Sequence, residues 1–105
     1  MTKAAIYADN YYALYPKDGG AIKFEKAQGE SNGYKYREIS GVVATPFCFV
    51  FAWSYYYESS CGISVLEIVK DGKSYERRFD KAFTQRGLVT KSKQFAAELH
   101  EEANG

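Results

Sequence analysis

The feature that most constrains this sequence is an alternation of side chains over residues 47–57. Aromatic residues occupy every odd position of this segment, and the even positions hold smaller residues apart from Tyr56. A period of two held over eleven residues is typical of a β-strand, because only an extended chain places every second side chain on one face. The aromatic content of the whole chain is 17%, which favours β structure elsewhere as well, since Tyr and Phe suit pleated surfaces.

Further runs rich in aromatic and β-branched residues predict additional strands, because Gly, Pro, Asn, Asp or Ser bound them. These runs cover residues 4–8, 11–15, 21–26, 34–39, 63–70 and 73–83, and a turn is expected over residues 29–33. The last two runs are separated by Asp71-Gly72, a dipeptide that favours the type I′ turn of a β-hairpin. The sequence therefore predicts a mainly antiparallel sheet.

The last part of the chain has a different period. Apolar residues at positions 95, 96, 99 and 103 share one helical face, which predicts a helix over about residues 92–103 with Thr90 or Ser92 as its N-cap. Phe95 and Leu99 are expected to pack on the sheet and His100 to lie near solvent. The predicted fold is one α+β domain over residues 1–105, an antiparallel β meander of about six or seven strands with one C-terminal helix packed on the sheet.

Assumed turn lengths give an expected register. With Asp71 and Gly72 as the two turn residues, Tyr75 lies opposite Ile68. With a four-residue loop over residues 58–61, Phe51 also lies opposite Ile68, so all three side chains share one face. This register predicts a single apolar layer, with Trp53 largely buried in it. Its members are Phe49, Phe51, Trp53, Leu66, Ile68, Tyr75 and Phe79.

Length and cysteine content limit the class of protein. A chain of 105 residues can bury one core without disulfides or metal. The longest apolar run, residues 46–53, is far shorter than the roughly 18 to 20 residues of a membrane span, and no signal-peptide pattern opens the chain. Cys48 and Cys61 lie too far apart in the predicted register to form a disulfide, so two free thiols are expected. We therefore expect a cytoplasmic protein without metal or cofactor.

The residues that could carry catalysis do not form a recognisable set. His100 is the only histidine, and its neighbours do not have the spacing of a zinc site. Cys61 could act as a nucleophile only with a base nearby. Glu67 and Glu76 oppose each other in the predicted hairpin, where two carboxylates can share a proton, but a solvated ion cluster with Arg78 explains them more simply. The sequence therefore favours a non-enzymatic protein.

The number of tyrosines favours protein recognition. Tyrosine offers a large contact area and loses little rotamer entropy, and the chain has ten. The candidate partner-binding residues are Tyr11, Tyr12, Tyr15, Tyr34, Tyr36 and Tyr56. The expected partner is another protein, with a second copy of this chain as one option. Small inhibitors and adaptors, such as those of phages and mobile elements, share this size and this lack of catalytic motifs.

Single-stranded nucleic acid is the alternative partner. Tyr34 and Tyr36 alternate with Lys35 and Arg37, which combines rings that can stack on bases with cations that can contact phosphates. Residues 70–93 add eight Lys or Arg against three Asp or Glu, although the net charge of the chain is only +1. The candidate nucleic-acid-binding residues are Lys35, Arg37, Lys73, Arg77, Arg78, Lys81 and Arg86. Both kinds of partner remain open at this point, and protein binding is the favoured one.

Overall fold

The fold is an antiparallel five-stranded sheet with one helix, seen in a computed structural model that describes residues 20–60 and 62–104. The strands are β1 (Gly20–Ser31), β2 (Tyr34–Ala44), β3 (Phe49–Tyr57), β4 (Ile63–Lys70) and β5 (Lys73–Phe79), and the helix is α1 (Gln85–Asn104). Consecutive strands are neighbours, so the sheet is a meander. The predicted α+β class is therefore confirmed, and the described residues form five strands, where six or seven were predicted for the chain. The strands predicted at residues 4–8 and 11–15 lie outside the described residues.

Two hairpins turn on dipeptides whose backbone lies in the left-handed region. Asp71 and Gly72 have φ values of 53° and 76°, and the pairing of Ile68 with Tyr75 confirms the predicted register of this hairpin. Asn32 and Gly33 have φ values of 53° and 81°. Both pairs fit the type I′ turn, which needs positive φ at its two central residues. The turn is therefore shorter than the predicted segment 29–33.

The pairing of β3 with β4 differs by one residue from the prediction. Phe51 pairs with Glu67 instead of Ile68, and fifteen residues, 52–66, separate the two partners. A four-residue loop would leave an even number between them, so the predicted loop length was wrong. A shift of one residue turns a strand over relative to its neighbour. Phe51 and Ile68 therefore point to opposite sides of the sheet, and the predicted single apolar layer is wrong.

The observed register gives the two sides of β3 different roles. Val50, Ala52 and Ser54 are buried on the side that faces α1. The larger aromatic residues of the strand lie on the other side, and Trp53 is only half-buried instead of largely buried. Interiors pack densely, so small side chains under a helix let it approach the sheet, which bulky rings would prevent.

The main core lies between α1 and the sheet. Leu66, Ile68 and Val50 are fully buried there, and α1 contributes Leu88, which is also inaccessible to solvent. The predicted packing of Phe95 and Leu99 is confirmed, with Phe95 buried and Leu99 half-buried against the same cluster. A second cluster, on the other side of the sheet, consists of Val42, Ala44 and Phe49 with Phe51 packed against it.

The helix begins earlier than the predicted residue 92. It starts at Gln85, and Thr84 is its N-cap, since Thr84 Oγ1 accepts a hydrogen bond from the backbone N–H of Gly87 at 3.2 Å. A threonine hydroxyl in this position satisfies one of the N–H groups that the first turn leaves unpaired. Thr90 and Ser92 lie inside the helix, so both predicted N-caps were wrong.

Two buried serines attach the connection between β5 and α1 to the sheet. Ser54 Oγ donates to the carbonyl of Phe83 at 2.9 Å. Ser64 Oγ donates to the carbonyl of Lys81 at 2.6 Å and accepts from the backbone N–H of Phe83 at 3.0 Å. Ser54 and Ser64 are direct partners on β3 and β4. The start of α1 is therefore fixed relative to the centre of the sheet.

Within the described part of the chain, no helix has the length and apolar character needed to cross a membrane. Cys48 is a free thiol, as predicted. The prediction for Cys61 lies outside the described residues.

Candidate functional site

Five aromatic residues form a continuous surface on the side of the sheet opposite α1. They are Tyr34 and Tyr36 of β2 and Trp53, Tyr55 and Tyr57 of β3, and we call this surface the aromatic face. Side chains alternate along a strand, and the pairing of Tyr36 with Tyr57 places these residues on one side. Tyr34 is 46% exposed and the other four are half-buried. Among the described elements, the one helix packs on the other side, so none of them covers this face.

The rings of the aromatic face lie in contact with one another. Trp53 and Tyr55 have ring centroids 6.1 Å apart and planes inclined by 13°. Tyr36 and Tyr55 have centroids 6.3 Å apart and planes inclined by 20°. Tyr34 meets Tyr57 edge to face at 5.9 Å. Three nearly parallel rings therefore connect the two strands.

Hydrogen bonds and close packing hold these rings in place. Trp53 Nε1 donates to Glu38 Oε2 at 2.8 Å, and the Tyr57 hydroxyl donates to the carbonyl of Ser31 at 2.8 Å. The ring of Tyr36 covers Gly29, since a Cβ at Gly29 would lie 2.9 Å from the Tyr36 hydroxyl oxygen. Groups held in this way lose little freedom when a ligand binds.

The two sides of the sheet carry opposite charges. Among the side chains that the structure describes, the side of the aromatic face holds four carboxylates against one guanidinium, namely Glu25, Glu38, Glu67, Glu76 and Arg78. In the backbone register, Lys23 also pairs with Val42 on this side. The side that faces α1 holds six cations against one carboxylate, namely Lys26, Lys35, Arg37, Lys70, Lys73, Arg77 and Glu30. The aromatic face is therefore acidic, although the chain as a whole has a net charge of +1.

Only part of the predicted partner-binding set comes together on this face. Tyr34 and Tyr36 lie side by side on it, whereas Tyr56 is 40% exposed on the other side of β3. Tyr11, Tyr12 and Tyr15 lie outside the described residues.

The predicted nucleic-acid-binding residues are divided between the two sides of the sheet. The side chains of Lys35 and Arg37 lie on the opposite side of β2 from those of Tyr34 and Tyr36, because the two sets alternate along the strand. Lys73 and Arg77 lie on the side that faces α1, where Arg77 forms an ion pair with Glu98 at 2.8 Å. Arg78 lies on the side of the aromatic face, Lys81 in the connection to α1, and Arg86 in the first turn of the helix.

The sequence interpretation missed Trp53, Tyr55 and Tyr57, which it assigned to the core or left unassigned. A signal for them is present in β3, because the residues between these rings at positions 52 and 54 are Ala and Ser. Small residues suit the side beneath a packed helix. In β3, the smaller of the two alternating sets lies beneath the helix.

Cys48 and His100 lie away from the aromatic face. Burial raises the pKa of the Cys48 thiol, and a hydrogen bond with Thr45 and the charge of Lys70 lower it in part. His100 is half-buried, in contrast to the predicted solvated position, and its ring stacks on Phe47 at 4.3 Å. Among residues 20–60 and 62–104, no cluster of three His, Cys, Asp or Glu side chains could hold a metal ion.

The predicted carboxylate pair is also present, with separate partners for each member. Glu67 and Glu76 are direct cross-strand neighbours, as predicted. Glu67 Oε2 accepts from Ser74 Oγ at 2.9 Å, and Glu76 Oε1 lies 3.8 Å from an Arg78 nitrogen. These contacts are those of a surface polar cluster.

Comparison of the chain with protein-family models, with curated protein sequences and with solved structures finds no match. The properties of the aromatic face therefore supply the basis for a proposed function.

Proposed function

We propose that this protein is a small non-enzymatic binding protein that captures another protein through the aromatic face. The observation that carries the proposal is the row of nearly parallel rings of Tyr36, Tyr55 and Trp53, which is partly exposed and anchored by the hydrogen bond from Trp53 to Glu38. Trp and Tyr dominate the energetics of protein interfaces because they combine a large apolar area with a polar group and few rotatable bonds.

The side chains of the aromatic face are ordered before a partner binds, which supports this proposal. Association costs free energy for every side chain that becomes ordered at the interface. Trp53 and Tyr57 are already fixed to Glu38 and Ser31 in the free protein. Folding has therefore already ordered these side chains, so a partner that contacts them adds little further loss of side-chain entropy.

The test compares two tyrosines that are neighbours in sequence and lie on opposite sides of β3. Tyr55→Ser removes the central ring of the aromatic face, and Tyr56→Ser removes an exposed ring from the other side. Immobilised parent and variants are used for affinity capture from a cell extract, and light scattering of each measures self-association. We expect a defined partner, or the dimer, to be retained by Tyr56→Ser and lost by Tyr55→Ser.

Thermal unfolding of both variants serves as the control for folding. Retention of the same partners and the same oligomeric state by folded Tyr55→Ser would contradict the use of the aromatic face. Loss in Tyr56→Ser alone would assign binding to the opposite side of the sheet.

A second candidate function is the binding of single-stranded nucleic acid on that opposite side. The guanidinium carbon of Arg37 lies 5.7 Å from the centroid of the Tyr56 ring, and Lys35 lies on the same side of β2. A ring beside cations can stack on a base while the cations contact phosphates. For this function we expect oligonucleotide binding with a steep salt dependence, weakened by Tyr56→Ser and by Arg37→Gln and unaffected by Tyr55→Ser.

A further inference from the structure

The aromatic face combines two kinds of group that attract cations. The faces of Trp and Tyr rings carry negative charge density, which draws ammonium and guanidinium groups within about 6 Å of the ring centroid. Carboxylates attract the same groups directly. On this side of the sheet, Glu38 accepts the hydrogen bond of the Trp53 indole. Glu67 pairs with Phe51, which precedes Trp53 on the same side of β3.

The protein itself shows how a cation occupies such a combination. On the other side of the sheet, the guanidinium carbon of Arg77 lies 4.4 Å from the centroid of Phe95, and Arg77 donates to Glu98 at 2.8 Å. A ring and a carboxylate thus hold one guanidinium together. Among the described residues, no Lys or Arg takes the equivalent place over Trp53 or Tyr55.

The charge distribution excludes the opposite kind of ligand from this face. Four carboxylates share the side of the aromatic face with two cationic positions, Lys23 at the edge strand and Arg78, and Arg78 lies 3.8 Å from Glu76. A phosphate backbone or an acidic peptide would meet like charges there. Like charges placed across an interface oppose association, whereas opposite charges select the partner and its orientation.

We propose that the aromatic face binds a cationic segment of the partner protein, whose Arg or Lys side chains lie over the rings of Trp53 and Tyr55 and pair with Glu38 and Glu67. This inference rests on the proposed function and specifies the chemistry of the partner. The occupant is a basic strand or loop, and the aliphatic stems of its long side chains cover the rings while their charged ends reach the carboxylates.

The test uses the intrinsic fluorescence of the full chain, because Trp53 is its only tryptophan. The parent protein is titrated with three probes, namely a short arginine-rich peptide, a glutamate-rich peptide of equal length and a single-stranded oligonucleotide. We expect the emission of Trp53 to change saturably with the arginine-rich peptide only. The apparent affinity should fall as salt is added.

Charge removal identifies the groups responsible. In Glu38→Gln the amide oxygen can still accept the hydrogen bond of Trp53 Nε1 while the charge is lost, and Glu67→Gln removes the second carboxylate. We expect each variant to weaken binding of the arginine-rich peptide by about five- to tenfold. Glu101→Gln makes the same change at an exposed position of α1 and serves as the matched control. Its affinity should equal that of the parent.

The outcomes separate this inference from the proposed function. Three results would each overturn the inference of a cationic partner. The first is equal binding of the acidic peptide or the oligonucleotide, and the second is an unchanged affinity of Glu38→Gln and Glu67→Gln. The third is the absence of a response to the arginine-rich peptide. The proposed function stands in any of these cases if Tyr55→Ser, and not Tyr56→Ser, loses its captured partner. If Tyr55→Ser loses nothing, both are wrong.

Discussion

Ser64 and Ser92 are both fully buried, yet their hydroxyl groups have opposite surroundings. Ser64 Oγ has two backbone partners, at Lys81 and Phe83. Ser92 Oγ has no hydrogen-bond partner among the described residues. A buried hydroxyl without a partner carries a desolvation cost that nothing offsets. The same substitution at the two positions is therefore expected to change stability in different directions.

We expect Ser64→Ala to lower the free energy of unfolding by about 1 to 3 kcal/mol, because it leaves buried backbone groups unpaired. We expect Ser92→Ala to leave this free energy unchanged or to raise it by up to about 1 kcal/mol. Urea denaturation followed by circular dichroism measures both. An equal loss of unfolding free energy in the two variants would contradict the difference between a hydrogen-bonded Ser64 and an unpartnered Ser92.

The thiol of Cys48 gives the protein a pH-dependent contribution to stability. Burial raises the pKa of this thiol in the folded state, more than Thr45 and Lys70 lower it. Below the ordinary pKa of the unfolded chain, about 8.5, both states keep the proton. Above it the unfolded chain loses the proton first, so the stabilising contribution of the neutral thiol is lost as pH rises through the folded pKa.

We therefore expect the parent to lose stability relative to Cys48→Ala over this alkaline range. Urea denaturation of the two proteins at a series of pH values measures the difference between them. Tyrosine and lysine titrations affect both proteins alike and cancel in that difference. A difference that stays constant from neutral to alkaline pH would contradict a raised pKa.

At the scale of elements, α1 is anchored more firmly near its start than near its end. Leu88 is inaccessible to solvent, whereas Leu99 is half-buried against the same core. We expect Leu88→Ala to cost about 3 to 5 kcal/mol and Leu99→Ala about 1 to 3 kcal/mol, since the cost of a truncated leucine depends on its burial and on the cavity left behind. Chemical denaturation of both variants tests the order, and a larger cost for Leu99→Ala would contradict it.

The hairpins show which parts of the sheet could be predicted from the sequence. Asp71-Gly72 determined its turn and register because few other dipeptides accept two positive φ values. The segment 58–62 contains several turn-forming residues, and none of them dictates whether the loop has an odd or an even number of residues. The face of β3 that meets α1 depends on that parity, so periodicity alone could not assign it.

The start of α1 was missed for a related reason. Thr84 is a good N-cap, but Gly87 in the first turn weakens the helical pattern that follows it. At the aromatic face, the shared side of Tyr34 and Tyr36 followed from their spacing, because alternation within one strand does not depend on a loop. The rings of β3 join them through the pairing of β2 with β3, whose register depends on the connection over residues 45–48.

At the scale of the whole molecule, the acidic aromatic face and the basic opposite side should orient an approaching partner. Complementary charges raise the association rate more than they slow dissociation. We expect the association rate of the arginine-rich peptide to fall by about tenfold between about 0.01 M and 0.15 M salt, with little change in the dissociation rate. Stopped-flow measurement of Trp53 fluorescence gives both rates. A salt effect confined to dissociation would contradict steering by the face.

The attachment of the segment 80–84 to Ser54 and Ser64 has a consequence for the order of folding. The two serines become neighbours only when β3 and β4 have paired. Hairpin contacts are local in sequence and close quickly, whereas the helix must find a surface contributed by several strands. The α1 helix therefore has no complete docking site until the central hairpin exists. A chain emerging during synthesis keeps this order, because the helix leaves the ribosome after the strands that receive it.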